Sequence, residues 1–177
     1  MNHPVVRALD GLYLACIWIS GFALVVMSLI IPVGVFARYL LGVGAQWPEP
    51  IAILMMVMFT FFGAAAAYRA GAHIAVQMLT DRLPRPLQRA CAGFVHLSMA
   101  AVSLFVFGWG LRLVEGTMGQ TISELPWLPV GVTYLPLPLG SLVTLLFIVE
   151  HVVFGPQHDR PVVTFDHADD LPPEGAN

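Results

Sequence analysis

Residues 61 to 76, FFGAAAAYRAGAHIAV, end a strongly apolar segment with an arginine and a histidine, Arg69 and His73. Four residues separate the two, so a helix would place both on one face. Ionisable groups inside a membrane usually serve function, which raises a proton relay or an anion site. The alternative places both at the membrane boundary, where arginine extends towards lipid phosphates. The charge-free run ends just before Arg69, so we predict that Arg69 and His73 are anchors at the inner interface.

Histidines and cysteines elsewhere in the chain could also carry chemistry. His73, His96 and His151 fall near three different apolar runs, which raises the possibility of a haem. Only His96 lies well inside a run, so a second ligand at mid-membrane depth is missing. Cys16 and Cys91 lie in apolar surroundings without Cys-x-x-Cys spacing and are expected to be buried thiols. We therefore predict no cofactor, no metal site and no catalytic residue, and do not expect an enzyme.

The amino-acid composition indicates whether these residues lie in a soluble domain or in a membrane protein. The chain has 177 residues, of which 58% are hydrophobic and 11% are charged, and its mean hydropathy is +0.79. A soluble domain carries about 25% charged residues. The chain is therefore expected to be an integral membrane protein. A net charge of −3 and the absence of a basic tract argue against a nucleic-acid partner.

Four stretches without a charged residue determine the expected fold. They are residues 11–37, 50–68, 90–111 and 125–149. A helix needs about 20 residues to cross the hydrocarbon, and a helix satisfies its own backbone groups there. We predict an all-α membrane protein with a transmembrane domain over residues 1–154. Its spans are expected at about 11–37, 50–68, 90–111 and 133–150, with a disordered acidic cytoplasmic tail over 155–177.

Two further features complete the expected organisation. Residues 74–83 place apolar side chains on one helical face, which predicts a short interfacial helix between the second and third spans, ended by Pro84. Arginine placement predicts that both termini are cytoplasmic, because arginines concentrate on the cytoplasmic side of membrane proteins. The predicted inner side carries Arg7, Arg69, Arg82, Arg85, Arg89 and Arg160, whereas the outer side carries Arg38 and Arg112.

A row of small residues on the second span predicts helix packing. Gly63, Ala67 and Gly71 recur every four residues. Lipid supplies no hydrophobic drive between helices, so small side chains favour association by allowing close approach. The partner helix could belong to this chain or to another subunit.

Charged residues gather at the predicted outer rim and are absent from the middle of every span. Arg38 ends the first span, Trp47 and Glu49 begin the second, and Arg112 ends the third. We expect this group to pin helix ends or to contact a soluble partner. A transport path normally needs ionisable groups or broken helices near the midplane. The chain is therefore expected to be an accessory or scaffold subunit.

The pattern of these residues resembles a known family, the small membrane subunit (DctQ-like) of tripartite ATP-independent periplasmic (TRAP) transporters. The resemblance rests on Trp47-x-Glu49, on Gly63, and on the motif YRAGAHI at residues 68–74. Leu83–Pro84 before Arg89 and YLPLPLG at 134–140 fit the family as well. Many members have two adjacent acids after the tryptophan, whereas Glu49 is followed here by Pro50. The resemblance covers nearly the whole chain except the acidic tail.

The resemblance implies a non-catalytic role in solute uptake across the bacterial inner membrane. In such systems a periplasmic solute-binding protein (DctP-like) captures an organic acid or a similar solute. A large, sodium-coupled permease subunit (DctM-like) moves it. The small subunit is expected to brace the large one and to help dock the binding protein, in contact with membrane lipids. The alternatives are a membrane redox protein of haem or thiol type and a stand-alone small channel.

Overall fold

Long helices dominate the computed structural model, which describes residues 4–42, 44, 46–71 and 84–155. Its elements, in chain order, are α1 (Pro4–Tyr39), α2 (Pro48–Arg69), α3 (Arg85–Thr117), β1 (Thr121–Ile122), β2 (Leu125–Pro129), α4 (Val130–Tyr134) and α5 (Pro136–Phe154). The predicted interfacial helix, His73 and nearly all of the acidic tail lie outside the described residues. Prolines fall in the first turns of α2, α3 and α5, where their missing N–H is not needed for a helical hydrogen bond.

The described helices confirm the predicted fold class, an all-α membrane protein with four spans. Four segments are long and apolar enough to cross a membrane, namely Val5–Tyr39, Pro48–Arg69, Ala90–Thr117 and Val130–Val153. α1 continues through Pro32 as one helix. The first and third helices extend past the charge-free runs at both ends, because helices can continue beyond the hydrocarbon into the polar interface.

The four long helices are arranged as a layer in the order α1, α2, α5, α3. α2 packs between α1 and α5, and α5 packs between α2 and α3. The final span is half buried, whereas only 6% of the third span is buried within the chain. α5 is therefore the central element, and α3 at the edge leaves most of its surface available to lipid or to another protein.

The buried core lies at the end of the layer that carries Arg69. Small side chains occupy much of it, since Cys16, Ala65 and Ala66 are 1%, 0% and 8% exposed. α2 and α5 approach closely at Gly140, where an added Cβ would lie 2.6 Å from the Cβ of Phe61. Small residues at these positions allow the close helix contacts that favour association in lipid.

A short β-hairpin, absent from the sequence-based expectations, lies at the opposite end of the layer. Ile122 pairs with Leu125 and Thr121 pairs with Pro129, with an irregular register between them. The N–H of Val130 donates to the carbonyl of Gln120 at 2.8 Å and closes the hairpin. We call this the hairpin end of the layer, and the other the Arg69 end. The hairpin and the short helix α4 then lead into α5 at Pro136.

Candidate functional site

A buried ion pair joins α2 to α5 at the Arg69 end. Nε of Arg69 donates to Oε2 of Glu150 at 2.7 Å, and Nη2 donates to Oε1 at 2.7 Å. This is a two-pronged contact, the arrangement in which arginine binds a carboxylate most strongly. The side chains of Arg69 and Glu150 are 5% and 1% exposed. Both charges are therefore removed from water and from the lipid surface of this chain.

The same guanidinium also reaches α1. Nη2 of Arg69 donates to Oδ1 of Asp10 at 2.5 Å, and the Asp10 side chain is 36% exposed. The guanidinium carbon lies 5.2 Å from the ring centroid of Tyr13 and 5.4 Å from that of Phe147. Aromatic faces attract a cation at such distances. Arg69, Glu150 and Asp10, which we call the Arg69 cluster, thus connect three of the four long helices.

These contacts bear on the expected anchoring role of Arg69. That Arg69 anchors the helix to lipid phosphates stays a prediction. In the structure its guanidinium has two carboxylate partners within the chain, and its side chain is almost fully buried. Removing one partner from a buried ion pair leaves an uncompensated charge, which is strongly unfavourable. The Arg69 cluster therefore links α1, α2 and α5 through charged side chains, two of which are buried.

A second polar group lies beside the Arg69 cluster and includes α3. The hydroxyl of Tyr68 and Nδ1 of His96 share a hydrogen bond of 2.7 Å. The rings of His96 and His151 lie 4.4 Å apart between centroids, and Tyr68 is within 6.4 Å of His151. Because Tyr68 and Arg69 are adjacent, as are Glu150 and His151, all four long helices contribute to one polar region.

The distance between the rings of His96 and His151 tests the alternative that the chain binds a haem. When two imidazoles bind one iron from opposite sides, the distance between their ring centres includes two metal–nitrogen bonds of about 2 Å each. It also includes the distance from each bound nitrogen to the centre of its own ring. Centroids 4.4 Å apart are too close for that arrangement. Within the described residues no group of three or more His, Cys, Asp or Glu could hold a metal ion. Cys16 is buried, Cys91 is half-buried, and both are free thiols.

At the hairpin end the structure brings together two of the predicted rim residues. Nη2 of Arg38 lies 3.6 Å from Oε1 of Glu49, with side chains 46% and 73% exposed. Trp47 precedes α2 and is 41% exposed, beside Glu49 in sequence. Arg112 instead covers the ring of Trp109 on its own helix, 4.9 Å from the centroid. The part of the chain described by the structure shows no ion pair of Arg112 with Glu49.

The small residues of α2 do not share one environment. A Cβ at Gly63 would meet Oγ of Ser20 on α1 at 3.5 Å, so Gly63 packs within the chain. Ala67 is exposed. Gly71 lies beyond the end of α2 with φ +66°, and its N–H donates to the carbonyl of Tyr68 at 3.1 Å. α2 ends at Arg69, so Gly71 lies just beyond the helix that carries Gly63 and Ala67. The packing role of the three small residues stays a prediction.

The sequence-based analysis missed Asp10 and Glu150 as partners of Arg69. Each lies next to the boundary of a charge-free run on the same predicted side of the membrane as Arg69. The depth argument that put Arg38 beside Glu49 would have found them too. Tyr68 and His151 were missed as partners of His96, because their approach depends on how the helices pack.

Comparison with known proteins places this four-helix chain in a family. Residues 27–155 match the model of a family described as the DctQ component of tripartite ATP-independent periplasmic transporters. The four long apolar helices define a multi-pass membrane protein. The chain belongs to the DctQ family of TRAP transporter small subunits.

Three proteins named as TRAP transporter small permease proteins are similar to this chain. The C4-dicarboxylate TRAP transporter small permease protein DctQ of Rhodobacter capsulatus is 30% identical over 131 residues, which are 67% of this chain and 56% of that protein. The ectoine TRAP transporter small permease protein TeaB of Halomonas elongata is 28% identical over 112 residues, 62% of this chain and 58% of that protein. A putative TRAP transporter small permease protein of Haemophilus influenzae is 23% identical over 159 residues, 86% of this chain and 90% of that protein. The chain thus spans slightly more than half the length of the first two.

Proposed function

We propose that the chain is a scaffold subunit of a TRAP-type secondary transporter in the bacterial inner membrane. It braces a large, sodium-coupled permease subunit and helps a periplasmic solute-binding protein to dock. The relatives named for C4-dicarboxylates and ectoine support an organic acid or similar solute. Both termini and the Arg69 end face the cytoplasm in this proposal, and the hairpin end faces the periplasm.

The observation that carries the scaffold role is the placement of charge. Charged residues flank the four spans and are absent from their middle, so the chain has no ionisable path of its own across the membrane. The most buried charges, Arg69 and Glu150, bind each other at 2.7 Å. A helix layer joined by a buried ion pair, with no charged residue in the middle of its spans, suits a subunit that supports another.

The bracing contact is assigned to the exposed side of α2. Thr60, Ala64 and Ala67 are exposed along it at spacings of four and three residues. Their small side chains would let a helix of the large subunit approach closely. Of the small residues predicted from sequence, Ala67 is the one on this surface, while Gly63 packs against α1.

Co-purification tests this proposal. Ala67→Leu should reduce recovery of the large subunit with this chain, because a branched side chain would hold the two helices apart. Ala101→Leu on the exposed surface of α3 is the matched control and should leave recovery unchanged. Equal recovery with both variants would remove α2 as the bracing surface. Full solute uptake by cells that lack this chain would remove the scaffold function itself.

A further inference from the structure

A pocket of about 310 Å³ lies at the hairpin end between the start of α2, the β-hairpin and α4. Ligand pockets in proteins usually measure about 300–1,000 Å³. This one is at the lower limit, which suits a single side chain better than a free solute. The start of α2 is far in sequence from the continuous segment formed by the hairpin and α4, so the shape of the pocket depends on the packed fold.

The walls of the pocket are apolar. They come from Pro50 and Ile53 on α2, Ile122 on β1 and Val130 on α4. Long basic side chains bury their methylene stems against surfaces of this kind while the charged head stays near water.

Two carboxylates border the pocket. Glu49 and Glu124 both line it, and both also line an adjoining cavity with Arg38. Arg38 forms an exposed contact of 3.6 Å with Glu49, and Glu124 has no ion pair among the residues described. One arginine therefore faces two acids, and the pocket has a net negative border.

A buried hydroxyl also lines the pocket. Thr133 is 7% exposed, and its Oγ1 has no hydrogen-bond partner in the described part of the chain. Buried polar groups in proteins are nearly always hydrogen-bonded, so an unpaired one indicates a missing partner. An incoming N–H group that reached the Thr133 hydroxyl from the pocket would supply this partner.

We propose that this pocket receives one lysine or arginine side chain of the docked solute-binding protein. Its stem would lie on the apolar walls, and its head would bind Glu124 and Glu49. The inference rests on the proposed docking function and adds the contact that performs it. Charges at the edge of an interface chiefly steer and orient a partner, so they alter association rate and salt dependence.

Binding of the soluble solute-binding protein to the complex of this chain and the large subunit tests the pocket. The complex is held in lipid nanodiscs, and affinity is measured at low and at high salt. We expect Glu124→Gln to weaken binding about three- to tenfold at low salt, and less at high salt because ions screen the attraction. Glu49→Gln with Glu124→Gln should weaken it further, and Glu124→Arg should weaken it most.

Glu115→Gln is the matched control, since Glu115 is an exposed acid at the hairpin end and lines none of these cavities. It should bind within about twofold of the parent, because an exposed charge outside the contact contributes little. Equal losses in Glu115→Gln and Glu124→Gln would overturn the pocket, because a general surface charge would then explain binding. Thr133→Val tests the hydroxyl without changing its shape, and should weaken binding at both salt concentrations.

Two further measurements separate the possible failures. If the large subunit alone captures the solute-binding protein as well as the complex does, the docking function fails and the pocket fails with it. If capture needs this chain but the double glutamine variant binds like the parent, only the pocket is wrong.

An ethanolamine lipid is the other cation that could fill the pocket. Loss of that lipid from the glutamine variant, by native mass spectrometry, with unchanged protein binding would overturn the proposal.

Discussion

Arg69 and Glu150 are 81 residues apart in sequence and make two hydrogen bonds of 2.7 Å in the core. α2 and α5 contact each other in lipid, where apolar side chains give no net preference for one another over lipid tails. A paired buried charge can select one helix arrangement, as polar residues do in coiled coils. We therefore expect the Arg69 cluster to help determine which helices of the layer pack together.

Arg69→Ala should therefore destabilise the chain by about 3–5 kcal/mol, because Glu150 would keep a buried charge without its partner. Thermal unfolding of the purified protein measures the loss. Arg112→Ala is the matched control and should cost less than about 1 kcal/mol, since Arg112 is exposed and covers only Trp109. Replacing both partners, as Arg69→Met with Glu150→Leu, should recover part of the stability. Equal melting temperatures for Arg69→Ala and Arg112→Ala would contradict a structural role for the ion pair.

Tyr68→Phe should lower stability by about 0.5–1.5 kcal/mol, the usual net value of a hydrogen bond. The change keeps the ring in place and removes the hydroxyl that shares a 2.7 Å hydrogen bond with Nδ1 of His96. Tyr39→Phe is the control, because Tyr39 is 77% exposed. No difference between the two variants in thermal unfolding would show that the contact with His96 contributes nothing measurable.

Two glycines that look alike in sequence should respond oppositely to alanine. At Gly140 an added Cβ would lie 2.6 Å from the Cβ of Phe61 and 3.0 Å from its backbone carbon. Overpacking costs about 1–3 kcal/mol, more than the helical preference for alanine of about 0.5–1 kcal/mol, so Gly140→Ala should destabilise. At Gly63 the nearest atom, Oγ of Ser20, is 3.5 Å away, and Gly63→Ala should be neutral or stabilising. Similar melting temperatures for both would contradict the close approach of α2 and α5.

The sequence predicted the spans because hydropathy and charge are local properties of a chain. Arg38 and Glu49 could be placed together because both lie where a charge-free run ends, so membrane depth alone aligned them. The same rule did not distinguish a buried Arg69 from an interfacial one, because burial depends on which helices meet. Glu150 and Asp10 are 81 and 59 residues from Arg69, and the helix order that unites them is a property of packing. The β-hairpin was missed because β1 has only two residues and β2 contains two prolines, which normally disfavour a strand.

Gly71 ends α2 in a way that only glycine allows without strain, and this yields the last prediction. Its φ of +66° lies in the left-handed region, which costs other residues about 1–2 kcal/mol. The adjacent N–H groups of Ala70 and Gly71 donate to the carbonyls of Ala66 and Tyr68 at 3.0 and 3.1 Å, so the turn closes directly behind Arg69. Gly71→Ala should therefore lower the free energy of unfolding by about that amount.

Gly93 provides a control with the opposite sign. It lies within α3, is exposed, and has open space around an added Cβ, so Gly93→Ala should be neutral or stabilise by up to about 1 kcal/mol. Gly71→Asn separates backbone strain from bulk, because asparagine tolerates the left-handed region better than alanine does. Its melting temperature should fall between those of the parent and Gly71→Ala. If all three variants melt together with the parent, the turn after Arg69 does not need a left-handed residue, and the position of Arg69 in the core must depend on its carboxylate partners alone.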